Sequence, residues 1–288
     1  MVEWLIEPLT YGFVVRGLIA GILAGVACAV LSAFIVWRGM AFVGDAMAHA
    51  ILPGIVVAYI LGVSLILGAL VAAVLTAAGI GVISRHGTMK EDTAIGVMFT
   101  GFFALGILLL GRIKAYRDLA HILFGNILGV GPGDLAVMAV IVLIVLAVVT
   151  LFYKELLVTS FDTSHAVAIG LSPSVVRYAL LVLIALTVVA GIQTVGVVLV
   201  LALLITPAAA ASLLAKRLPR IIVLSVAFAV GSAVVGFYAS YYTDVSSGAA
   251  IVLTLTAIFI VAFVFSPKRG RLTRRAKQTG TEIEGADE

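Results

Sequence analysis

Apolar runs separated by short polar breakers dominate this chain, and each run is about as long as a bilayer is thick. A membrane-crossing helix needs about 20 mostly apolar residues. The first run covers residues 14–36 and stops at Trp37-Arg38-Gly39; the second covers 40–61. Residues 64–84 stop at Arg85-His86-Gly87, 94–110 at Gly111-Arg112, and 135–153 at Lys154-Glu155. A polar break over 154–177 precedes an apolar stretch, 178–215, that exceeds the upper length of one span. Gly191, Gln193 and Gly196 interrupt it, which predicts a turn between two helices. Residues 221–242, after Pro219, and 249–265 complete the set. The pattern predicts an all-α polytopic integral membrane protein whose transmembrane domain fills 1–267. It has about nine transmembrane helices, or eight if the first run lies partly in the interface.

Composition closes off other classes. Of 288 residues, 63% are hydrophobic and 11% charged, against about 25% charged in soluble domains. A water-soluble fold and a disordered chain are both excluded. The single Cys28 permits no internal disulfide. The net charge of +4 comes largely from Lys268, Arg269, Arg271, Arg274, Arg275 and Lys277, a run of the kind that marks a cytoplasmic tail near anionic lipid. Residues 268–288, basic and then acidic, read as a disordered tail. Glu3, Trp4 and Glu7 open the chain without a basic n-region, so it does not begin like a cleaved secretory signal.

Charge also orients the spans. With the N-terminus outside and the C-terminus in the cytoplasm, 14 of the 18 basic residues face the cytoplasm, and Arg16, Arg112, Lys114 and Arg117 do not. Residues 118–130 are too short to span and too apolar for a solvated loop, which predicts an interfacial or re-entrant helix on the outer side.

Nearly all of the 14 acidic residues sit at span ends, in loops or in the tail, and Asp45 is the exception. An ionisable group inside a span costs at least ~2.5–3.5 kcal/mol and usually faces a cavity on a transport path. His49 follows four residues later, which stacks both side chains on one helical face. One carboxylate and one imidazole there form a partial site for a first-row divalent metal such as Mn²⁺, Zn²⁺ or Fe²⁺. The competing reading is a helix-end polar pair that hydrogen-bonds a neighbouring helix. His86 on a polar loop, His121 in the outer helix and His165 in the polar segment are less telling, and Met40 and Met47 read as packing.

Residues 161–170, FDTSHAVAIG, predict a short amphipathic helix with Asp162 or Thr163 as N-cap and Gly170 as the stop. Such a helix between two spans suits a bearing surface for a soluble partner, or an ordinary loop. No phosphate-loop, zinc-protease or nucleophile-elbow motif occurs in the sequence.

The stretch from Trp37 to Gly54, WRGMAFVGDAMAHAILPG, resembles the second-span signature of the membrane subunits of ABC transporters for manganese, zinc or iron. Glu91-Asp92-Thr93-Ala94-Ile95-Gly96, Leu123-Phe124-Gly125-Asn126-Ile127-Leu128, the segment 161–170, and Thr194 through Ala210 match in the expected order, covering about 11–267. The resemblance implies a type II-like importer permease in the cell membrane, itself without ATPase residues. In that family the second-span Asp and His line the metal path, here Asp45 and His49. The FDxxxAxxxG segment, here Phe161, Asp162, Ala166 and Gly170, is similar to the coupling helix that docks into the ATPase. Thr163-Ser164-His165 departs from the family, where Pro and Glu are frequent. The implied partners are a second permease copy, two ATP-binding cassette subunits and an extracytoplasmic metal-binding protein. The implied cargo is a divalent metal, and no cofactor is expected. An ion-coupled secondary transporter with proton coupling through Asp45 is the alternative, disfavoured by the coupling-helix match and by the lack of inverted hydropathy repeats.

Overall fold

Hydrocarbon offers no water to unpaired backbone groups, so each apolar run closes its hydrogen bonds within itself as a helix. The computed structural model describes residues 6–85, 89–111 and 127–266, and no strand occurs among the described residues. In chain order the helices are α1 (Gly12–Arg38), α2 (Val43–Ala50), α3 (Leu52–Leu61), α4 (Leu65–Arg85), α5 (Glu91–Leu110) and α6 (Pro132–Leu151). They continue as α7 (Tyr153–Phe161), α8 (Thr163–Ala168), α9 (Pro173–Val195), α10 (Val197–Leu214), α11 (Leu218–Thr243) and α12 (Ser247–Val264). Nine segments among the described residues are long and apolar enough to cross a membrane, with α2 and α3 together counting as one. Of the predicted outer helix, only the end is described, as a 3₁₀ turn at Ile127–Gly129. Its remainder and the tail at 268–288 lie outside the described residues.

The chain is buried on all sides from Ala27 to Ile35, so α1 lies at the centre of the bundle. Along it, Gly17, Gly21 and Gly25 form a stripe four residues apart. Added Cβ atoms there would meet Phe237 at 3.1 Å, Ala233 at 3.9 Å and Ala229 at 3.5 Å. The opposite order of those partners makes α1 and α11 antiparallel. Small residues let two backbones approach, which is how helices associate where lipid removes the hydrophobic drive between them. Gly54 of α3 and Gly68 of α4 do the same: a Cβ on either would collide with the other's carbonyl.

The corner between the sixth and seventh spans falls at Gly196, with φ 90° and ψ 161°, a conformation strained for any residue with a Cβ. Val200 then packs on Gly191 across that corner.

Contacts sort the loops into two ends. Arg16 reaches the Val130 carbonyl, and a cavity of about 410 Å³ joins residues 127–128, 195–199 and 245–249 at one end. At the other, Trp37 meets Phe161, Arg38 meets Thr159 and Ser160, Arg177 meets Ser84 and Glu91, and Ser266 bonds the Leu213 carbonyl. A cavity of about 440 Å³ there joins Trp37 to Lys216. Arg38, Arg177 and Lys216, three of the basic residues assigned to the cytoplasm, thus share one end.

Two features differ from the reading of the sequence. The second span begins at Val43, after a turn at Met40–Phe42, and breaks at Ile51. Pro53 has no N–H for the His49 carbonyl, which accounts for the break. The polar break after α6 holds a further helix, α7, because hydropathy reports burial in lipid rather than helicity.

Candidate functional site

In α2, Val43, Gly44, Ala46, Met47, Ala48 and Ala50 are buried. Asp45 and His49 are the exceptions, with 42% and 39% of their side chains exposed. Gly44 holds the opposite side of the helix close to Leu204 of α10, where a Cβ would come within 2.9 Å. Burial of that side leaves the polar pair together on the open face, as the four-residue spacing predicts.

His49 Nδ1 lies 3.0 Å from the Asp45 carbonyl oxygen and 3.3 Å from its Oδ1. Both oxygens accept, so Nδ1 carries the proton and donates it. Nε2 is then the ring nitrogen without a partner among the described residues, the position through which histidines ligate metals when their other N–H is held by an oxygen. Phe99 and Phe103 of α5 stand edge-on to the imidazole, with ring centroids 5.7 and 5.3 Å away. Neither Asp45 nor His49 bonds a neighbouring helix among the described residues, so the pair does not tie helices together. No group of three His, Cys, Asp or Glu side chains capable of holding a metal occurs among the described residues. Met40 and Met47 are fully buried packing residues, and His86 and His121 lie outside the described residues.

The segment 161–170 folds as a shorter helix than its pattern predicts. Phe161 ends α7 and Asp162 adopts an extended conformation, its Oδ1 accepting the His165 N–H at 2.9 Å as the N-cap of α8. At the far end Gly170 takes φ 82°. Its N–H bonds the Val167 carbonyl and the Leu171 N–H bonds that of Ala166, each at 3.0 Å. That is the paired closure of a left-handed helix stop. Ala166 is buried, whereas Phe161, Val167 and Ile169 are exposed. Ala166 therefore seats the helix on its own chain. Val167 and Ile169, which the sequence reading did not single out, provide the outward apolar face.

Two arginines lie beside this segment. Arg38 donates from Nε to Ser160 Oγ at 3.1 Å and from Nη2 to Thr159 Oγ1 at 3.0 Å. Each hydroxyl gives its own proton to a carbonyl four residues back, at Leu156 and Glu155. Arg177 pairs through Nε with Glu91 at 2.8 Å and donates from Nη1 to Ser84 Oγ at 2.9 Å.

The model of the ABC 3 transport family matches residues 10–266. The chain belongs to this family. It is 48% identical over 269 residues to the Manganese transport system membrane protein MntC of Halalkalibacterium halodurans, covering 93% of this chain and 92% of that protein. It is 39% identical over 260 residues to the Chelated iron transport system membrane protein YfeD of Yersinia pestis, covering 90% and 88%. The solved structure of PsaBC from Streptococcus pneumoniae in complex with Fab matches with a TM-score of 0.82 at 39% identity, covering 95% of this chain and 99% of that one. The chain is thus a permease subunit of a metal ABC transporter and not its catalytic subunit.

Sequence reasoning missed the residues around the pair. Phe99 and Phe103 carried a usable signal, two aromatics four apart on a predicted span. The hydroxyl partners of Arg38 carried none, lying 121 and 122 residues away.

Proposed function

We propose that this permease moves a divalent transition metal, manganese, zinc or iron, into the cytoplasm along a path lined by Asp45 and His49. The transporter sits in the cell membrane and pairs two permease copies. Two ATP-binding cassette subunits drive it, and an extracytoplasmic metal-binding protein delivers the ion. The observation that carries this reading is the state of His49. Its Nδ1–H is held by the Asp45 carbonyl, Nε2 is left for a ligand, and the Asp45 carboxylate stands beside it on the open face of an otherwise buried helix. Two copies meeting about a two-fold axis would bring two carboxylates and two imidazoles together, with water completing the shell. Such a site binds weakly enough for the ion to leave.

The end that gathers Arg38, Arg177 and Lys216 faces the cytoplasm by the bias of positive residues, which puts the outward face of α8 where a soluble ATPase subunit can dock. Uptake of Mn²⁺, Zn²⁺ and Fe²⁺ into vesicles holding the complete transporter, with and without ATP and a proton gradient, tests the reading. Asp45→Asn and His49→Ala should each lower uptake by about 100-fold or more, at or beyond the upper end of losses measured for metal-site partners. Membrane insertion and basal ATP hydrolysis should persist. Normal uptake by both variants would mean that other residues build the path, and uptake that follows the proton gradient without ATP would establish the secondary transporter instead.

A further inference from the structure

We propose that Arg38 is the strut that carries movement of the docking segment to the Asp45–His49 helix, a positioning role that rests on reading 161–170 as that segment. Arg38 is the last residue of α1. Its guanidinium holds Thr159 and Ser160, the two residues directly before Phe161, and Trp37 lies against the Phe161 ring with centroids 4.3 Å apart. Two adjacent residues of α1 therefore grip three consecutive residues at the end of α7.

On its other side Arg38 leads into α2 through a short, bonded turn. The Met40 N–H bonds the Ile35 carbonyl at 3.0 Å, and the Val43 N–H bonds the Met40 carbonyl at 3.0 Å. Met40 is 1% exposed, so this turn is pinned in the core. Asp45 stands seven residues beyond Arg38, two residues inside α2. A displacement of α7 thus reaches the polar pair through one side-chain grip and one stiff turn. Packed elements of this kind pass on movement because they cannot deform continuously.

The chemistry of the grip suits a contact that stays closed as the segment moves. Arg38 has no carboxylate within ion-pair distance among the described residues, and Glu91 acts on its charge only from further away. Its partners are two neutral hydroxyls, each already satisfied as a donor. Parting Arg38 from them would leave the partly buried guanidinium without its two acceptors, so the grip holds while the segment moves.

The test uses the permease co-expressed with its ATPase subunit, purified as a complex and placed in vesicles, with Mn²⁺ and then Zn²⁺ as probes. Arg38→Gln and the double variant Thr159→Val, Ser160→Ala should keep the ATPase subunit and basal hydrolysis within about twofold, while metal moved per ATP falls by about tenfold, within the range of measured coupling energies. Arg38→Lys should recover part of the coupling, because an ammonium can still reach one hydroxyl. The Thr159/Ser160 variant keeps Arg38 and the side-chain volumes, so it carries the test if Arg38→Gln does not insert. Metal moved per ATP that stays near the native value in the Thr159/Ser160 variant overturns the strut. Loss of the ATPase subunit from that variant also overturns it, since the hydroxyls would then belong to the docking surface. Retention of the subunit by Val167→Asp, Ile169→Asp would sink the docking reading and the strut with it, an outcome visible in co-purification alone.

Discussion

Two pairs of an acidic and a basic side chain occupy this molecule in contrasting ways. Glu91 and Arg177 join the starts of two helices far apart in sequence, are only 24% and 17% exposed, and have Ser84 as a further partner. Asp45 and His49 sit on a single helix, stay near 40% exposed, and bond nothing outside that helix among the described residues. The first pair links two helices, with Arg177 also held by Ser84. The second is arranged by its own helix and keeps one carboxylate oxygen and one ring nitrogen without a partner among the described residues. A polar pair in a membrane protein therefore reveals its role less by its charge than by which of its bonding positions the fold leaves open.

The contrast is most severely tested by stability. Glu91→Gln leaves Arg177 charged and mostly buried, so it should destabilise the detergent-solubilised protein by about 2 kcal/mol, below the 3–5 kcal/mol typical of fully buried pairs because both groups retain some solvent. Thermal unfolding should show the loss, and adding Arg177→Gln should recover part of it. Asp45→Asn should move the same curve by less than about 0.5 kcal/mol, as exposed substitutions do. Equal losses from Glu91→Gln and Asp45→Asn would erase the distinction between the pairs.

A smaller effect should sharpen the picture of the open pair. Phe99→Leu or Phe103→Leu removes an edge contact worth about 0.5–1.5 kcal/mol from the His49 ring. The metal concentration giving half-maximal uptake should rise by about threefold to tenfold, the kinetic equivalent of that energy. The maximal rate and the unfolding curve should hardly change. A fall in maximal rate at unaltered half-saturation would assign these rings to gating, not to positioning the imidazole.

The smallest effect concerns a polar contact with no charge at all. The Ser32 hydroxyl lies between the Ile205 carbonyl and the Ala208 N–H, both at 3.4 Å, where Pro207 leaves the α10 ladder incomplete. Ser32→Ala should cost about 0.6 kcal/mol, the average for such bonds between membrane helices. Uptake should be unchanged. A transport defect without loss of stability would show that the Pro207 region moves during the cycle.

Most of the architecture was readable because the length of an apolar run and the residues that end it are properties of local chain. The corner at Gly196, the caps at Asp162 and Gly170, and the shared face of Asp45 and His49 all follow from spacings of a few residues. The helix α7 was not readable in the same way, since its residues are polar enough to pass for a loop while still being good helix formers. Family resemblance reached the segment 161–170 as a motif but did not divide its residues between two faces, with Ala166 turned inward and Val167 and Ile169 turned out.

The sequence by itself determined that the chain spans a membrane, where the spans begin and end within a few residues, and that one carboxylate and one imidazole share a helical face. These are consequences of hydrophobic length and helical period, which need no knowledge of neighbours. Only the tertiary structure decided which spans lie at the centre, which side of α2 stays open, and that Arg38 grips the end of α7. Each of those depends on atoms brought together across many residues, 93 between Arg177 and Ser84 and 122 between Arg38 and Ser160. In an apolar chain whose helices look alike from end to end, close packing at small residues selects the neighbours, and that selection is a property of surfaces in three dimensions rather than of any local pattern.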